Sequence, residues 1–331
     1  MTNPVVSVIV VCYNEQTRIG ACLDSILAQD FAEPWEAIIV DNQSTDRTAE
    51  LVAAKAETNP AVVLVRNDTR TLSVGRNVGW RRAASPLVVY TDADCIVPSH
   101  WLRTLVHAYR AQKAVDASLA GVGGGNYQPN DTQFYRALNI FLKSPFGNRG
   151  STQTESFDQG RYVDSLAALN VLYERDALES IDGYDSVHFP RVGEDEDLNS
   201  RLAEKGRRIF YVPGCEVLHF WRDTFAGWRR NMYLYGFGRV KLRRRHPSRA
   251  KVTDLLCLAV PGALVLTLFS WLWLPLAAPL SAYVLIMVLA SLTGSFRFGQ
   301  PLLAPRVFAL LVGTHLWYGM GFIRGIVANK I

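Results

Sequence analysis

The segment Leu87-Val88-Val89-Tyr90-Thr91-Asp92-Ala93-Asp94 runs from a short, β-branched apolar stretch directly into two carboxylates. Three earlier apolar stretches have the same character, at residues 5–11, 36–40 and 62–65. Such short runs are typical of parallel strands that are buried on both faces. Helical stretches separate them at residues 17–29, 46–57 and 73–84, and Asp46 is the predicted N-cap of the second. The alternation predicts an α/β domain, doubly wound around a mostly parallel sheet.

Polar residues follow three of these strands at their carboxyl ends. They are Tyr13-Asn14-Glu15 after the first strand, Asp41-Asn42 after the second and Asp92-Ala93-Asp94 after the fourth. Ligands of doubly wound sheets bind beyond the carboxyl ends of the strands, so these residues are predicted to face a ligand. The structural alternative is that Asn and Asp simply form turns here. Two carboxylates at i and i+2 also suit one contact to a nucleotide ribose and one to a divalent ion on a diphosphate.

A second acidic cluster, Gly193-Glu194-Asp195-Glu196-Asp197, opens a stretch of helical composition. The helix dipole favours acids at this position, so capping accounts for part of the cluster. Capping does not require four carboxylates within five residues. Because like charges raise one another's pKa, the cluster predicts a general base that accepts a proton near neutral pH.

The net charge of +5 has a local origin. Ten Lys and Arg residues lie in residues 222–251, with Asp223 as the only acid. Because this run directly precedes an apolar tail, we expect it to contact anionic lipid headgroups and expect no nucleic-acid partner. The five cysteines include no CxxC pair, which disfavours a disulfide framework or a zinc site. No signal-peptide pattern precedes the first strand, so we expect the α/β domain in the cytosol.

The tail contains two charge-free stretches of twenty residues, at 255–274 and 276–295. Each is long enough to cross a hydrocarbon core of ~30 Å, and Pro275 and Pro279 suit a tight hairpin between them. A buried hairpin of a soluble protein is the alternative. A third stretch at 307–323 contains His315 and is left open as spanning, tilted or re-entrant. The predicted organisation is a catalytic domain at 1–225, a basic amphipathic interfacial segment at 226–251 and a membrane domain of two or three transmembrane helices at 252–331.

Taken together, these motifs resemble the family 2 inverting glycosyltransferases of GT-A fold. The resemblance covers about residues 5–246 and rests on Tyr13-Asn14-Glu15, Asp41, Asp92-Ala93-Asp94 and Glu194-Asp195. Within this family, the chain is similar to membrane-associated transferases of bacterial exopolysaccharide assembly, including the succinoglycan type. That likeness rests on Tyr162-Val163-Asp164, Gly183-Tyr184-Asp185, Tyr235-Gly236-Phe237-Gly238-Arg239 and the tail from His315 to Gly325.

The resemblance implies a role for each matching residue. The implied donor-binding residues are Tyr13, Glu15 and Asp41 at the nucleoside, Arg76 near the base or diphosphate, Asp92 at the ribose and Asp94 at the metal. Asp195 is the implied catalytic base, and Glu194 would orient it or contact the acceptor.

For three further residues, the sequence is consistent with two different roles. His219 is a candidate metal ligand, as a histidine is in some GT-A enzymes, or else a core histidine. Arg229 and Arg230 precede the apolar hairpin and would contact either the leaving diphosphate or lipid headgroups.

Two departures from the family pattern narrow the expected activity: Cys12 stands where a proline is usual, and no QxxRW motif occurs. The second departure disfavours a processive polymerase. We expect an inverting transferase, dependent on Mg or Mn, that moves one sugar from a nucleotide-sugar such as a UDP-sugar. The expected acceptor is a hydroxyl of a polyprenyl-diphosphate-linked sugar, used in cell-surface polysaccharide assembly at the inner membrane. The alternatives are a polyprenyl-phosphate glycosyltransferase of the dolichol-phosphate mannose synthase type and a non-catalytic membrane scaffold.

Overall fold

The computed structural model describes residues 3–147, 157–221, 224–249, 255 and 257–328. The chain forms two compact units. The first, which we call the α/β unit, comprises Met1–Tyr127 and Glu155–Phe220, and the second, the helical unit, comprises Gln128–Thr154 and Trp221–Ile331. Residues 222, 223 and 250–251 of the predicted basic run lie outside the described residues.

All strands of the described residues belong to the α/β unit. They are β1 Val6–Cys12, β2 Trp35–Asp41, β3 Val62–Arg66, β4 Leu87–Asp92, β5 Cys95–Ile96, β6 Leu119–Gly123, β7 Asn126–Tyr127, β8 Arg161–Val163, β9 Val171–Glu174, β10 Arg208–Tyr211 and β11 Val217–His219. The α-helices are α1 Ile19–Leu27, α2 Thr48–Thr58, α3 Leu72–Arg82, α4 Trp101–Val115, α5 Gln133–Leu142, α6 Arg175–Glu179, α7 Glu194–Glu204, α8 Phe225–Arg245, α9 Ala259–Leu268, α10 Ala278–Arg297 and α11 Ala304–Val327.

The main sheet has eight strands in the order β3-β2-β1-β4-β9-β6-β10-β8. Only β9 and β8 run against the others, so the prediction of a mostly parallel sheet is confirmed. Every residue of β1 is buried, because Val8 and Val10 pack into one apolar core and Ile9 and Val11 into another on the opposite face. The chain winds from β1 outward to β3 and returns on the other side as β4. The switch point at the carboxyl ends of β1 and β4 is therefore the expected ligand site.

A second, three-stranded sheet has the order β5-β11-β7. In this sheet β11 pairs antiparallel with β5, and His219 lies opposite Cys95. The pairing brings the end of β11 beside the turn that follows β4.

The start of α2 differs from the prediction. The helix begins at Thr48, and Arg47 occupies the N-cap position without a side-chain capping bond. Asp46 lies one residue earlier, where its Oδ1 accepts hydrogen bonds from the Thr48 backbone N at 3.0 Å and from the Thr48 hydroxyl at 2.5 Å. The predicted N-cap was therefore wrong by one position, because Asp46 is used to close the turn before the helix.

The helical unit contains α5 and α8 to α11, and side chains of α5, α8, α10 and α11 share one apolar core. Two of its helical segments, Leu274–Arg297 and Pro301–Val327, are long and apolar enough to cross a membrane. The predicted span at 255–274 was wrong: α9 ends at Leu268, and short-range turn bonds such as Ser270 N to Thr267 O follow it. A ten-residue helix is only about 15 Å long, which is half of a hydrocarbon core.

Candidate active site

The loop after β1 is held against the loop after β2. Asn14 has a left-handed backbone conformation with φ +55°, and its side-chain oxygen accepts a hydrogen bond from Thr45 N at 2.8 Å. An Asn tolerates this conformation because its short polar side chain bonds locally. Tyr13 is 39% exposed, and the Arg70 guanidinium lies 5.2 Å from the centroid of its ring. A fixed backbone thus presents an accessible aromatic ring at the switch point.

Asp41 ends β2 and is buried, with one carboxylate oxygen accepting a hydrogen bond from Ser44 N at 3.2 Å. Its other oxygen lies 3.8 Å from Arg66 Nη1. Nearby, the backbone N–H of Glu15 donates to Thr48 Oγ1 at 2.8 Å. The three residues predicted to contact the nucleoside therefore lie at the ends of two adjacent strands.

Arg76 holds three carboxylates at one point. Its Nη1 donates to Glu194 Oε1 at 2.8 Å and to Asp195 Oδ1 at 3.2 Å, and its Nη2 donates to Asp92 Oδ1 at 3.2 Å. The Arg76 side chain is buried, and its guanidinium lies 5.4 Å from the centroid of the Tyr184 ring. A planar guanidinium with five donors in a fixed fork suits such bridging. We call Arg76, Asp92, Glu194 and Asp195 the carboxylate cluster.

The carboxylate of Asp195 is fixed at both oxygens and still reaches the surface. Oδ1 accepts from Arg76, and Oδ2 accepts from the backbone N–H of Ala168 at 3.1 Å. The side chain remains 21% exposed. Asp197, two residues further along α7, is fully buried and accepts a hydrogen bond from Arg201 Nε at 2.8 Å, so it is not part of the cluster.

Burial and neighbouring acids raise the proton affinity of the cluster. Burial, followed by the Asp195 charge, raises the pKa of Glu194 to about 8. Burial likewise raises the pKa of Asp195, although Arg76 and the Ala168 N–H act in the opposite direction. Burial opposes the charge of Arg76 as well, but the surrounding acids hold its pKa well above its ordinary value. The sequence predicted a raised pKa within residues 194–197 from like charges, whereas burial is the largest cause for both Glu194 and Asp195.

Asp94 and His219 form a second group, which we call the metal pair. His219 Nε2 lies 3.5 Å from Asp94 Oδ1, because β11 pairs with the strand that follows Asp94. Burial opposes ionisation of Asp94, but the His219 charge and a hydrogen bond from it lower the pKa overall. The thiol of Cys95 lies within 4.8 Å of the ligand atoms of both residues, and burial raises the pKa of this thiol well above its ordinary value. A carboxylate with an imidazole is a ligand pair that fits a divalent cation.

The predicted site residues thus fall into three neighbouring groups and one separate pair. Tyr13, Glu15 and Asp41 lie at the ends of β1 and β2; Arg76, Asp92, Glu194 and Asp195 form the carboxylate cluster; Asp94 and His219 form the metal pair; and Arg229 and Arg230 lie on α8 of the helical unit. The Arg229 guanidinium lies 4.9 Å from the centroid of the Trp317 ring. Arg76 was predicted to lie near the base or diphosphate, whereas its nitrogens are occupied by carboxylates.

The sequence did not predict the residues that hold the Ala168 segment in place beside Asp195. The Asn199 amide donates to Leu166 O at 2.9 Å and accepts from the Tyr173 hydroxyl at 2.7 Å, which fixes the segment that carries Ala168. A backbone N–H such as that of Ala168 has no side-chain signature. Asn199 does have one signal, because it follows Asp195 by four residues and therefore lies on the same face of the helix.

The arrangement places a partly exposed carboxylate, Asp195, and an Asp–His pair that could hold a divalent cation around the switch point of a mostly parallel sheet. The structure resembles the mannosyltransferase PcManGT from Pyrobaculum calidifontis in complex with GDP-Man and Mn2+, with a TM-score of 0.63 and 21% identity, covering 100% of this chain and 89% of that one. It also resembles S. aureus TarS 1-349, with a TM-score of 0.52 and 16% identity over 98% of this chain and 92% of that one. These likenesses show a fold of the GT-A class.

The sequence comparisons identify the family. The model of Glycosyl transferase family 2 matches residues 7–181, which is more than half of the chain, and the chain belongs to this family. It is 26% identical to the succinoglycan biosynthesis protein ExoA of Rhizobium meliloti over 273 residues, covering 80% of this chain and 79% of that protein. It is 24% identical to glycosyltransferase AglE of Haloferax volcanii, covering 73% and 78%. The chain is therefore a family 2 glycosyltransferase that acts in polysaccharide or glycan biosynthesis.

Proposed function

We propose that the chain is an inverting, metal-dependent glycosyltransferase that moves one sugar from a nucleotide-sugar to a lipid-linked acceptor. The expected donor is a UDP-sugar. The acceptor is a hydroxyl of a polyprenyl-diphosphate-linked sugar in cell-surface polysaccharide assembly. The catalytic unit works on the cytosolic side of the inner membrane. The basic helix α8, with Arg229 and Arg230, contacts lipid headgroups.

The observation that supports this proposal most strongly is that one guanidinium, that of Arg76, bridges a proposed donor-binding carboxylate and the proposed catalytic base. It bonds Asp92, the proposed ribose contact, and Asp195, the proposed base. A rigid fork sets the spacing of these two carboxylates before any substrate binds. Such preorganisation is what positions a bound donor and an attacking hydroxyl for reaction.

The proposed reaction is a single in-line displacement at the anomeric carbon. Asp195 accepts the proton of the acceptor hydroxyl as the new bond from that oxygen to the anomeric carbon forms. The bond from the anomeric carbon to the phosphate oxygen breaks on the opposite face, and its electron pair leaves with the nucleoside diphosphate. The configuration at the anomeric carbon therefore inverts.

The metal pair supplies the second part of the chemistry. Asp94 and His219 would hold a divalent ion, which stabilises the negative charge that gathers on the departing diphosphate. The lowered pKa of Asp94 keeps this carboxylate ionised, as a metal ligand must be.

The choice of acceptor follows from the proton affinity of the carboxylate cluster. A sugar hydroxyl must lose a proton to attack, and a base with a raised pKa suits that task. A polyprenyl monophosphate is already ionised and has little need of such a base. A relative in Methanococcus voltae, 21% identical over 72% of this chain and 74% of that protein, is named a dolichyl N-acetyl-alpha-D-glucosaminyl phosphate 3-beta-D-2,3-diacetamido-2,3-dideoxy-beta-D-glucuronosyltransferase, which supports a lipid-linked sugar.

The test is a transfer assay on the full chain in lipid. UDP- and GDP-sugars are each offered with a polyprenyl-diphosphate-linked sugar or with a polyprenyl monophosphate, with Mn, Mg or chelator. We expect nucleoside diphosphate release and an inverted linkage only with the lipid-linked sugar and metal. Transfer to the monophosphate alone would support the dolichol-phosphate mannose synthase type instead. Donor binding without release for every acceptor would support a non-catalytic scaffold.

A further inference from the structure

The two long apolar segments of the helical unit have different surroundings. The apolar window of Leu274–Arg297 is only 11% buried, whereas that of Pro301–Val327 is 44% buried. Before α10, the turn exposes large apolar side chains, with Trp271 and Leu274 each 78% exposed and Trp273 64% exposed. In contrast, α11 packs against α5, α8, α9 and α10. The segment with the lower mean hydropathy, 1.2 against 2.0, is thus the more deeply buried one.

Helix α11 lies side by side with the basic helix α8, and the two run parallel. A Cβ added to Gly313 would meet the ring of Phe225 at 2.9 Å, and one added to Gly321 would meet the backbone oxygen of Tyr233 at 1.9 Å. Further along, Gly325 faces Val240 in the same way. The sequence positions increase together on both helices, so the contact extends over most of their length. Gly321 lets the two backbones touch, and Gly313 and Gly325 make room for side chains of α8.

Polar bonds fix this contact at several levels. Trp228 Nε1 donates to Thr314 Oγ1 at 2.8 Å, deep between the helices. Arg239 Nε donates to the Tyr318 hydroxyl at 3.2 Å. Arg244 then donates from both terminal nitrogens to the last carbonyls of α11, Ile326 O at 3.0 Å and Ala328 O at 3.2 Å. Arg244 thereby satisfies backbone groups that a helix end leaves without partners.

Helix α8 carries seven basic residues and no acid in twenty-one positions. They lie on both of its halves, beginning with Arg229 and ending with Arg245. A charged side chain at the centre of a bilayer is strongly unfavourable, and several in one helix are more so. If α11 crossed the hydrocarbon core, its parallel partner α8 would be drawn in with it. The packing of these two helices therefore opposes a spanning α11.

We propose that α11 lies with α8 at the membrane surface as a basic platform, and that the hairpin of α9 and α10 is the part of the described chain that enters the bilayer. The occupant of this surface is an anionic lipid bilayer, because its headgroups complement α8 and its acyl chains complement the exposed hairpin. This inference rests on the membrane association in the proposed function. It places both ends of α11 on the same side of the membrane.

Two cysteine variants test this topology in the full chain. Leu302→Cys marks the start of α11 and Val327→Cys marks its end, and these positions are 88% and 65% exposed. Both are made with Cys257→Ser, because the other four native cysteines are buried. A membrane-impermeant maleimide is applied to sealed right-side-out vesicles, to inverted vesicles and to detergent-solubilised protein. We expect both positions to label in detergent and to label from the same face of the vesicles, in a ratio within about twofold.

Labelling of the two positions from opposite faces would overturn the inference, as would protection of either position from both faces. Sedimentation and sugar transfer are measured on the same vesicles. A chain that sediments with the vesicles and transfers sugar, but labels from opposite faces, contradicts only the surface position of α11. A chain that stays in the supernatant contradicts the proposed membrane association as well.

Discussion

Asp92 and Asp94 are separated by one residue, yet they belong to two regions with opposite electrostatics. Asp92 accepts from Arg76 in the carboxylate cluster, where burial and like charges raise pKa values. Asp94 lies beside His219, which lowers its pKa. The turn after β4 thus divides one short motif between the carboxylate cluster, where the pKa values of Glu194 and Asp195 are raised, and the pair with His219, where the pKa of Asp94 is lowered. The comparison shows that neighbouring acids acquire different chemistry from the partners that the fold supplies.

The largest effect is expected at the base. Asp195→Asn should lower transfer by about 10²–10⁴-fold, because it removes the proton acceptor and conserves the shape. Metal-dependent donor binding should stay unchanged, since the metal pair is intact. Transfer assays and donor titration on the same protein measure both quantities, with Glu204→Gln at the exposed end of α7 as the control. Transfer that remains above a tenth of the wild-type rate would show that Asp195 is not the base.

Arg76→Leu tests what holds the cluster together. Removing the cation leaves three carboxylates near a buried position, and we expect the free energy of unfolding to fall by about 3–5 kcal/mol. The loss should be greater at pH 8 than at pH 5, because the acids become protonated at lower pH and repel one another less. Urea unfolding at the two pH values measures this. Arg81→Leu on the same helix is the matched control, because Arg81 pairs with Asp182 at the surface. If both variants lost the same free energy of unfolding, the carboxylate cluster would not be a stabilising unit.

Asp94→Asn addresses the other region. We expect the affinity for donor in the presence of Mn to fall by more than the ~10–100-fold that loss of an outer-shell partner costs a metal site. A chelator should reproduce this loss in the wild-type chain. Calorimetric titration with and without Mn makes the measurement, and Asp92→Asn is the matched comparison. If Asp92 and Asp94 belong to different groups, donor binding by Asp92→Asn should still strengthen when Mn is added. Identical Mn dependence of donor binding in the two variants would refute this separation.

The smallest effect is expected for Glu194→Gln. The substitution replaces a carboxyl that is largely protonated below about pH 8 by a neutral amide of similar shape, so the acid limb of the pH–rate profile should stay near its wild-type position. In the folded chain Glu194 has its pKa raised from 4.5 to about 8, so its contribution to stability is present below pH 4.5 and is lost as the pH rises to about 8. The Tm of the variant should therefore improve relative to wild type across that window. A Tm difference that stays constant across this window would contradict the raised pKa of Glu194, as would a large displacement of the acid limb.

The sequence predicted the sheet and the acids at its edge because both depend on local pattern. β1 and β4 are recognisable as short buried runs, and Asp92 and Asp94 follow β4 directly. The partners of those acids depend on long-range contacts. His219 reaches Asp94 only through the pairing of β11 with β5, and Arg76 reaches Glu194 from the middle of a different helix. Apolar composition marks the segments that contain α10 and α11 as possible spans, with mean hydropathies of 2.0 and 1.2, but what packs against each helix depends on long-range contacts.

The hydrogen bond from the Ala168 N–H to Asp195 Oδ2 determines which substitutions residue 168 can accept. What the carboxylate needs at residue 168 is an amide hydrogen, which every amino acid except proline provides. Space in the buried pocket then limits the side chain to a small one, so Gly and Ser should serve as well as Ala. In an alignment of family members, residue 168 would therefore vary in identity even though its backbone N–H is always needed. Its contribution to the active site would be visible only in the course of the main chain.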